Sequence, residues 1–160
     1  MMIAGEILEI ARKNGVMITC AESCTGGMVA AALTDLPGSS AMFDRGFVTY
    51  TNGAKMQMLG VDAATLNSDG AVSEPVAREM AKGALSHSDA ALAVSITGIA
   101  GPGGSEHKPE GRVCFATATT TRTEAETVEF GPLGRDAVRR AARDHALALL
   151  YARLLALPDA

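Results

Sequence analysis

Three short apolar stretches, each running into a turn and then into residues at helical spacing, set the tightest limit on how this chain can fold. Residues 16–20 (Val16 to Cys20) are partly β-branched and read as a strand. They lead into Ala21-Glu22-Ser23-Cys24-Thr25-Gly26-Gly27, after which residues 28–33 read as a small-residue helix closed near Pro37-Gly38. Residues 43–51 repeat the pattern, with a strand ending at Asn52-Gly53 and a short helix over 54–59 stopped by Gly60. Residues 90–96 form the third stretch, which opens into 97–105, the most glycine-rich part of the chain.

Helical elements fill the spaces between. Ile3, Ile7, Leu8, Ile10 and Ala11 recur at helical spacing and predict an opening helix that stops at Asn14-Gly15. A further helical turn is expected over 63–67. Ser73-Glu74-Pro75 is a helix start: a capping hydroxyl, an acid at the positive end and a proline where no hydrogen bond is lost. That helix is expected to reach about Leu85. Residues 112–120 and 127–130 predict an antiparallel strand pair around a polar turn near Arg122-Thr123-Glu124. A final Ala/Leu/Arg helix is expected over 136–157, ending before Pro158.

Helices separating the early strands, with a late hairpin, predict a three-layer α/β/α sandwich with a mixed sheet. At 160 residues the chain is expected to be a single domain over 1–160. Aromatic residues are 4% and Trp is absent, so its core must be aliphatic. Lys and Arg number 14 against 18 Asp and Glu, a net charge of −4 that argues against a nucleic-acid-binding surface. A small anion is still compatible, since one arginine in a pocket can hold it. Three cysteines cannot all pair within one chain, and thiols kept reduced in the cytoplasm are expected. The start carries no basic leader and no apolar run approaches the roughly 20 residues a membrane span needs, so no membrane partner is expected.

Open α/β sheets bind ligands beyond the carboxyl ends of their strands, which points to the turns after residues 20, 51 and 96. The Glu22–Gly27 turn is either an N-cap with glycines for geometry or an anion or oxyanion site built from N–H groups at a helix start. Ser40 with Tyr50 and Lys55 is either a capping serine, a half-buried tyrosine and a surface lysine, or a hydrolytic set. In such a set, a lysine with a destabilised charge takes a proton from a serine hydroxyl. The loop from Thr97 is a long turn or a phosphate cradle, though it matches neither the P-loop nor the dinucleotide fingerprint. Arg135 sits at a helix start, where a cation opposes the dipole; a bound anion or an ion pair with Asp136 or Glu129 would explain it. Arg139, Arg140 and Arg143 read as a solvated face or as contacts to another subunit. His87, His107 and His145 are scattered, and no Cys or His pair has metal-ligand spacing.

Several longer motifs occur in one order: Ala21-Glu22-Ser23-Cys24-Thr25-Gly26-Gly27; Gly38-Ser39-Ser40 with Phe43 and Arg45-Gly46-Phe47-Val48-Thr49-Tyr50; Ala54-Lys55; Gly70-Ala71-Val72-Ser73-Glu74; and Ser95-Ile96-Thr97-Gly98-Ile99-Ala100-Gly101-Pro102-Gly103-Gly104. Together, over about residues 7–155, they resemble the C-terminal domain of the competence/damage-inducible protein CinA, a family that includes stand-alone nicotinamide-nucleotide amidases. The resemblance implies hydrolysis of the carboxamide of nicotinamide mononucleotide to nicotinate mononucleotide and ammonia, in pyridine nucleotide salvage, without metal or organic cofactor. It implies Ser23, Ser40, Tyr50 and Lys55 as catalytic residues. Thr97 and Arg135 also match the family's site, and Thr25, Gly26, Gly27 and Gly98 join them as substrate-binding candidates. Ser23, at a strand-to-helix turn, is favoured as nucleophile over Ser40. Family members commonly carry Gly-Asp before the arginine, where this chain has Leu133-Gly134. A homo-oligomer is expected. The competing classes are a nucleotide-binding module without catalysis and a DNA-associated competence factor.

Overall fold

The computed structural model describes residues 3–105 and 107–157. In chain order the elements are α1 (Ile3–Asn14), β1 (Ile18–Glu22), α2 (Met28–Thr34), one 3-10 turn (Ser39–Ala41), β2 (Phe43–Val48), α3 (Asn52–Leu59), α4 (Ala63–Asp69), α5 (Glu74–Ser86), β3 (Leu92–Gly98), β4 (Arg112–Ala118), β5 (Thr123–Glu129) and α6 (Arg135–Ala156). The strands lie in the order β2-β1-β3-β4-β5. β1 is parallel to both β2 and β3, and β3, β4 and β5 are antiparallel in turn. The mixed sheet is thus the expected one.

Alternating side chains sort the sheet into two unlike faces. Ile18, Cys20, Val94, Ile96, Val113 and Phe115 face α1, α2 and α6 in a core of large aliphatic groups. Ala21, Ala93, Ala116 and Ala118 face α5, which answers with Val76, Ala77, Met80, Ala81 and Ala84. Small residues on both sides let that helix lie close to the strands. Ser73 caps α5 by accepting from Val76 N, with Pro75 in the first turn. Gly83, on the same helix, has no room for a side chain, because a Cβ would run into the Leu59 carbonyl at the end of α3. Gly83→Ala is therefore expected to destabilise the fold by about 2–3 kcal/mol despite alanine's better helix propensity. Thermal or urea unfolding checks this.

Element boundaries moved for identifiable reasons. β1 begins two residues later than expected because Val16 N still bonds Ala11 O as the chain leaves α1 through Gly15, at φ 65. It ends two residues later because Glu22 stays in register with Val48 and Ile96, its buried carboxylate satisfied elsewhere. β5 starts at Thr123 rather than 127: Thr119 N bonds Arg122 O at 2.8 Å, so the turn closes before Thr123. Thr123 and Glu124, expected in the turn, open the charged edge strand of the sheet, a pattern that blocks edge-to-edge pairing. Pro158, expected to end α6, and Met1 and Met2 of the start lie outside the described residues. Among the described residues no helix is long and apolar enough to cross a membrane, and no group of His, Cys, Asp or Glu could hold a metal ion.

Candidate active site

The carboxyl ends of the parallel strands carry the chemistry. Ser23 follows β1 directly and is fixed by its own N–H donating to Ile96 O at 2.9 Å. The chain leaving β2 is tied to the same spot, with Thr49 N on Glu22 O at 2.8 Å. Thr51 then starts α3, its hydroxyl accepting from Ala54 N at 3.1 Å. One turn of helix later Lys55 points back into the protein, with 1% exposure. Its Nζ lies 3.1 Å from Ser23 Oγ, 3.1 Å from Thr49 O and 3.2 Å from Tyr50 O. These partners define what the amine can do. As an ammonium it donates to all three. As a free amine it keeps two N–H bonds for the two carbonyls, which can only accept, and turns its lone pair to the Ser23 hydroxyl.

This pair opens onto a cleft of about 410 Å³ lined by Ser23, Tyr50, Lys55, Thr97, Gly98 and Arg135, among others. Thr97 is buried and donates to Ala71 O at 2.8 Å, so it fixes the wall formed by Ala71 and Val72. Gly98 is packed against the sheet, where a Cβ would stand 2.6 Å from Val113 Cγ2. Lys108 donates to Asp69 O and Val72 O at 2.7 and 2.6 Å and staples the glycine-rich loop to the same wall. One N–H of that loop is already used: Gly103 N donates to Glu110 Oε1 at 2.6 Å.

At the mouth, Arg135 is the first residue of α6. It forms neither ion pair considered for it, since Asp136 is held by Arg140 at 2.5 Å and Glu129 by Arg112 at 2.6 Å. Its guanidinium instead spans the cleft mouth, donating to Tyr50 Oη at 2.8 Å and Gly101 O at 2.7 Å. Tyr50, 56% exposed, therefore touches the Ser23–Lys55 pair through its carbonyl oxygen, while its phenol lies beside Arg135.

Other candidates fall elsewhere. Ser40 sits in the 3-10 turn before β2, exposed. Because β2 runs parallel to β1, a residue that precedes β2 lies at the amino ends of the strands, a strand length of about 20 Å from one that follows β1. Thr25, Gly26 and Gly27 do not line the cleft. The start of α2 is also not open to a ligand: the Glu22 carboxylate accepts from Gly27 N, Val29 N and Ala30 N at 3.2, 3.0 and 3.0 Å. Within this turn the Cys24 N–H lies against its own thiol. The Cys24 thiol lines the cleft, but burial pushes it up to about 12, so it stays protonated and weakly nucleophilic near neutrality. Arg139 belongs to no open face; it donates to Cys24 O and Thr25 O. Sequence reasoning missed this contact and the capping role of Glu22. One available signal was the spacing of Arg135 and Arg139, which puts both on one side of α6.

Fold and cleft together define an α/β sandwich protein with a serine–lysine pair at the carboxyl ends of its parallel strands. The chain belongs to the CinA C-terminal domain family, whose sequence model matches residues 2–154. It is 52% identical over 97% of its length to the nicotinamide-nucleotide amidohydrolase PncC of Escherichia coli (strain K12), covering 94% of that protein. The competence/damage-inducible protein CihA from Agrobacterium tumefaciens superposes with a TM-score of 0.91 at 49% identity, over 94% of this chain and 92% of that one. The CinA superfamily protein KP700603 from Klebsiella pneumoniae gives 0.93 at 36% identity, with 97% of each chain covered.

Proposed function

We propose that the protein is a nicotinamide-nucleotide amidohydrolase that converts nicotinamide mononucleotide and water to nicotinate mononucleotide and ammonia. The observation that carries the reading is the 3.1 Å contact between Ser23 Oγ and the buried Lys55 Nζ at the floor of the cleft. An amide is a poor electrophile with a poor leaving group, so it needs an activated nucleophile, donors for the oxyanion and a proton for departing ammonia. Lys55, as free amine, takes the Ser23 proton while Oγ attacks the carboxamide carbon. The oxyanion faces the turn after Ser23, where Cys24 lines the cleft, the N–H of the residue after the nucleophile being a usual donor in such turns. Lys55 then returns the proton to the leaving nitrogen, and ammonia departs from a Ser23 ester. Water, deprotonated by the same amine, attacks that ester and releases the nicotinate product and the free serine.

Arg135 is assigned to the substrate phosphate, a charge-assisted contact at the cleft mouth. Arg135→Ala is expected to raise KM for nicotinamide mononucleotide by roughly 10–150-fold, corresponding to about 1.5–3 kcal/mol. Nicotinamide riboside, which lacks the phosphate, should change less than about twofold. Steady-state kinetics on both substrates checks this, and an equal loss on the two removes Arg135 from the phosphate site.

The function itself is tested by ammonia release from nicotinamide mononucleotide, NAD, nicotinamide riboside and nicotinamide. The expected order places the mononucleotide first. Binding of the mononucleotide with no ammonia from any substrate would mark a non-catalytic nucleotide module instead.

A further inference from the structure

The five-residue turn from Ser23 to Gly27 is gripped from two sides by opposite charges. The buried Glu22 carboxylate takes the N–H groups of Gly27, Val29 and Ala30. From α6, the part-buried Arg139 places Nε 3.0 Å from Cys24 O and Nη2 3.4 Å from Thr25 O. The approach is close enough that a Cβ on Gly26, which has φ 57, would lie 3.3 Å from Nη2. Arg139 does not line the cleft, whereas Ser23 and Cys24 do.

A trans peptide unit holds its C=O and N–H in opposite directions. The Cys24 carbonyl and the Thr25 N–H belong to one such unit. Pulling that carbonyl toward Arg139 turns the Thr25 N–H away from α6. The Thr25 carbonyl and the Gly26 N–H form the next unit, and Gly26 N bonds Ser23 O at 3.0 Å. The guanidinium therefore controls how the backbone rotates immediately after Ser23.

We infer that Arg139 is a positioning residue: its guanidinium sets the peptide planes after Ser23, and through them the aim of the Ser23 hydroxyl at the substrate carbon. This rests on Ser23 being the nucleophile. Aim of a nucleophile at the reacting carbon acts on the chemical step, and so on kcat, and leaves ground-state binding alone. A misplacement of about 1 Å can cost on the order of 10²-fold in rate.

The test compares wild type, Arg139→Met, Arg139→Lys and Ser23→Ala in the full chain. Turnover of nicotinamide mononucleotide and the Kd of the product, nicotinate mononucleotide, are measured for each. Arg139→Met is expected to lower kcat by roughly 10–100-fold, with KM and product Kd within about twofold of wild type. Arg139→Lys, which reaches carbonyls as a point charge without the fork, should recover part of the loss. Wild-type kcat in either variant overturns the inference, as does a product Kd weakened as much as kcat falls. If Arg139→Met does not fold, Arg139→Lys decides alone: a reduced kcat at unchanged product Kd supports the inference, and wild-type kcat overturns it. Full activity in Ser23→Ala overturns the serine mechanism instead, which separates the two failures.

Discussion

Ser23→Ala is expected to lower kcat by a factor on the order of 10³ or more, while the protein folds and still binds the nucleotide. The hydroxyl of Ser23 meets Lys55 Nζ, whereas the residue's backbone place is secured by Ile96 O. Removing one oxygen from a residue 7% exposed leaves a small gap at the cleft floor and no broken framework. The prediction is checked by single-turnover ammonia release alongside product binding by calorimetry. Normal Kd with lost turnover is the expected pair of results. Turnover near wild type would place the nucleophile elsewhere. The Cys24 thiol is the nearest other candidate by sequence, and its burial, which favours the protonated form, argues against it.

Lys55→Met should lower kcat by roughly 10²–10⁴-fold, the range lost with a general acid–base group. Methionine nearly matches the lysine stem in shape and has no amine. The change leaves Thr49 O and Tyr50 O without the Nζ donor, so a stability loss of about 1–3 kcal/mol should accompany it. Lys55→Arg, the other informative change, keeps a cation that cannot deprotonate. At 1% exposure the site has no slack for the larger guanidinium, so methionine is the cleaner probe. Activity within tenfold of wild type in Lys55→Met would remove the amine from proton transfer. Unfolding curves separate the two effects, because a stability loss of this size leaves the native state dominant at assay temperature.

The sandwich was legible because the strand-turn-helix repeats impose it whatever the exact boundaries. The cleft's location followed from the same reading: Ser23, Thr97 and Lys55 do meet at the carboxyl ends of β1 and β3. Side-chain direction was less legible. Tyr50 and Lys55 were grouped by closeness in sequence, yet the lysine turns inward from α3 and the phenol turns out to Arg135. Ser40 precedes its strand while Ser23 follows one, and only the parallel pairing of β1 with β2 shows that these are opposite ends. Glu22 looked like one more polar group in a turn. Nothing in its neighbourhood of sequence marks it as the acceptor for three backbone donors, because that role depends on α2 folding back over the end of β1.

Two of the groups holding the Lys55 amine are main-chain oxygens, those of residues 49 and 50. Every amino acid has such an oxygen, so the amine's seat is indifferent to which side chains evolution tries there. It is not indifferent to chain length. Only five residues separate Thr49 from Lys55, and an insertion or deletion between them would shift α3 against β2 and carry the amine off Ser23. The amine's seat therefore depends on a fixed count of residues more than on the side chain at position 49.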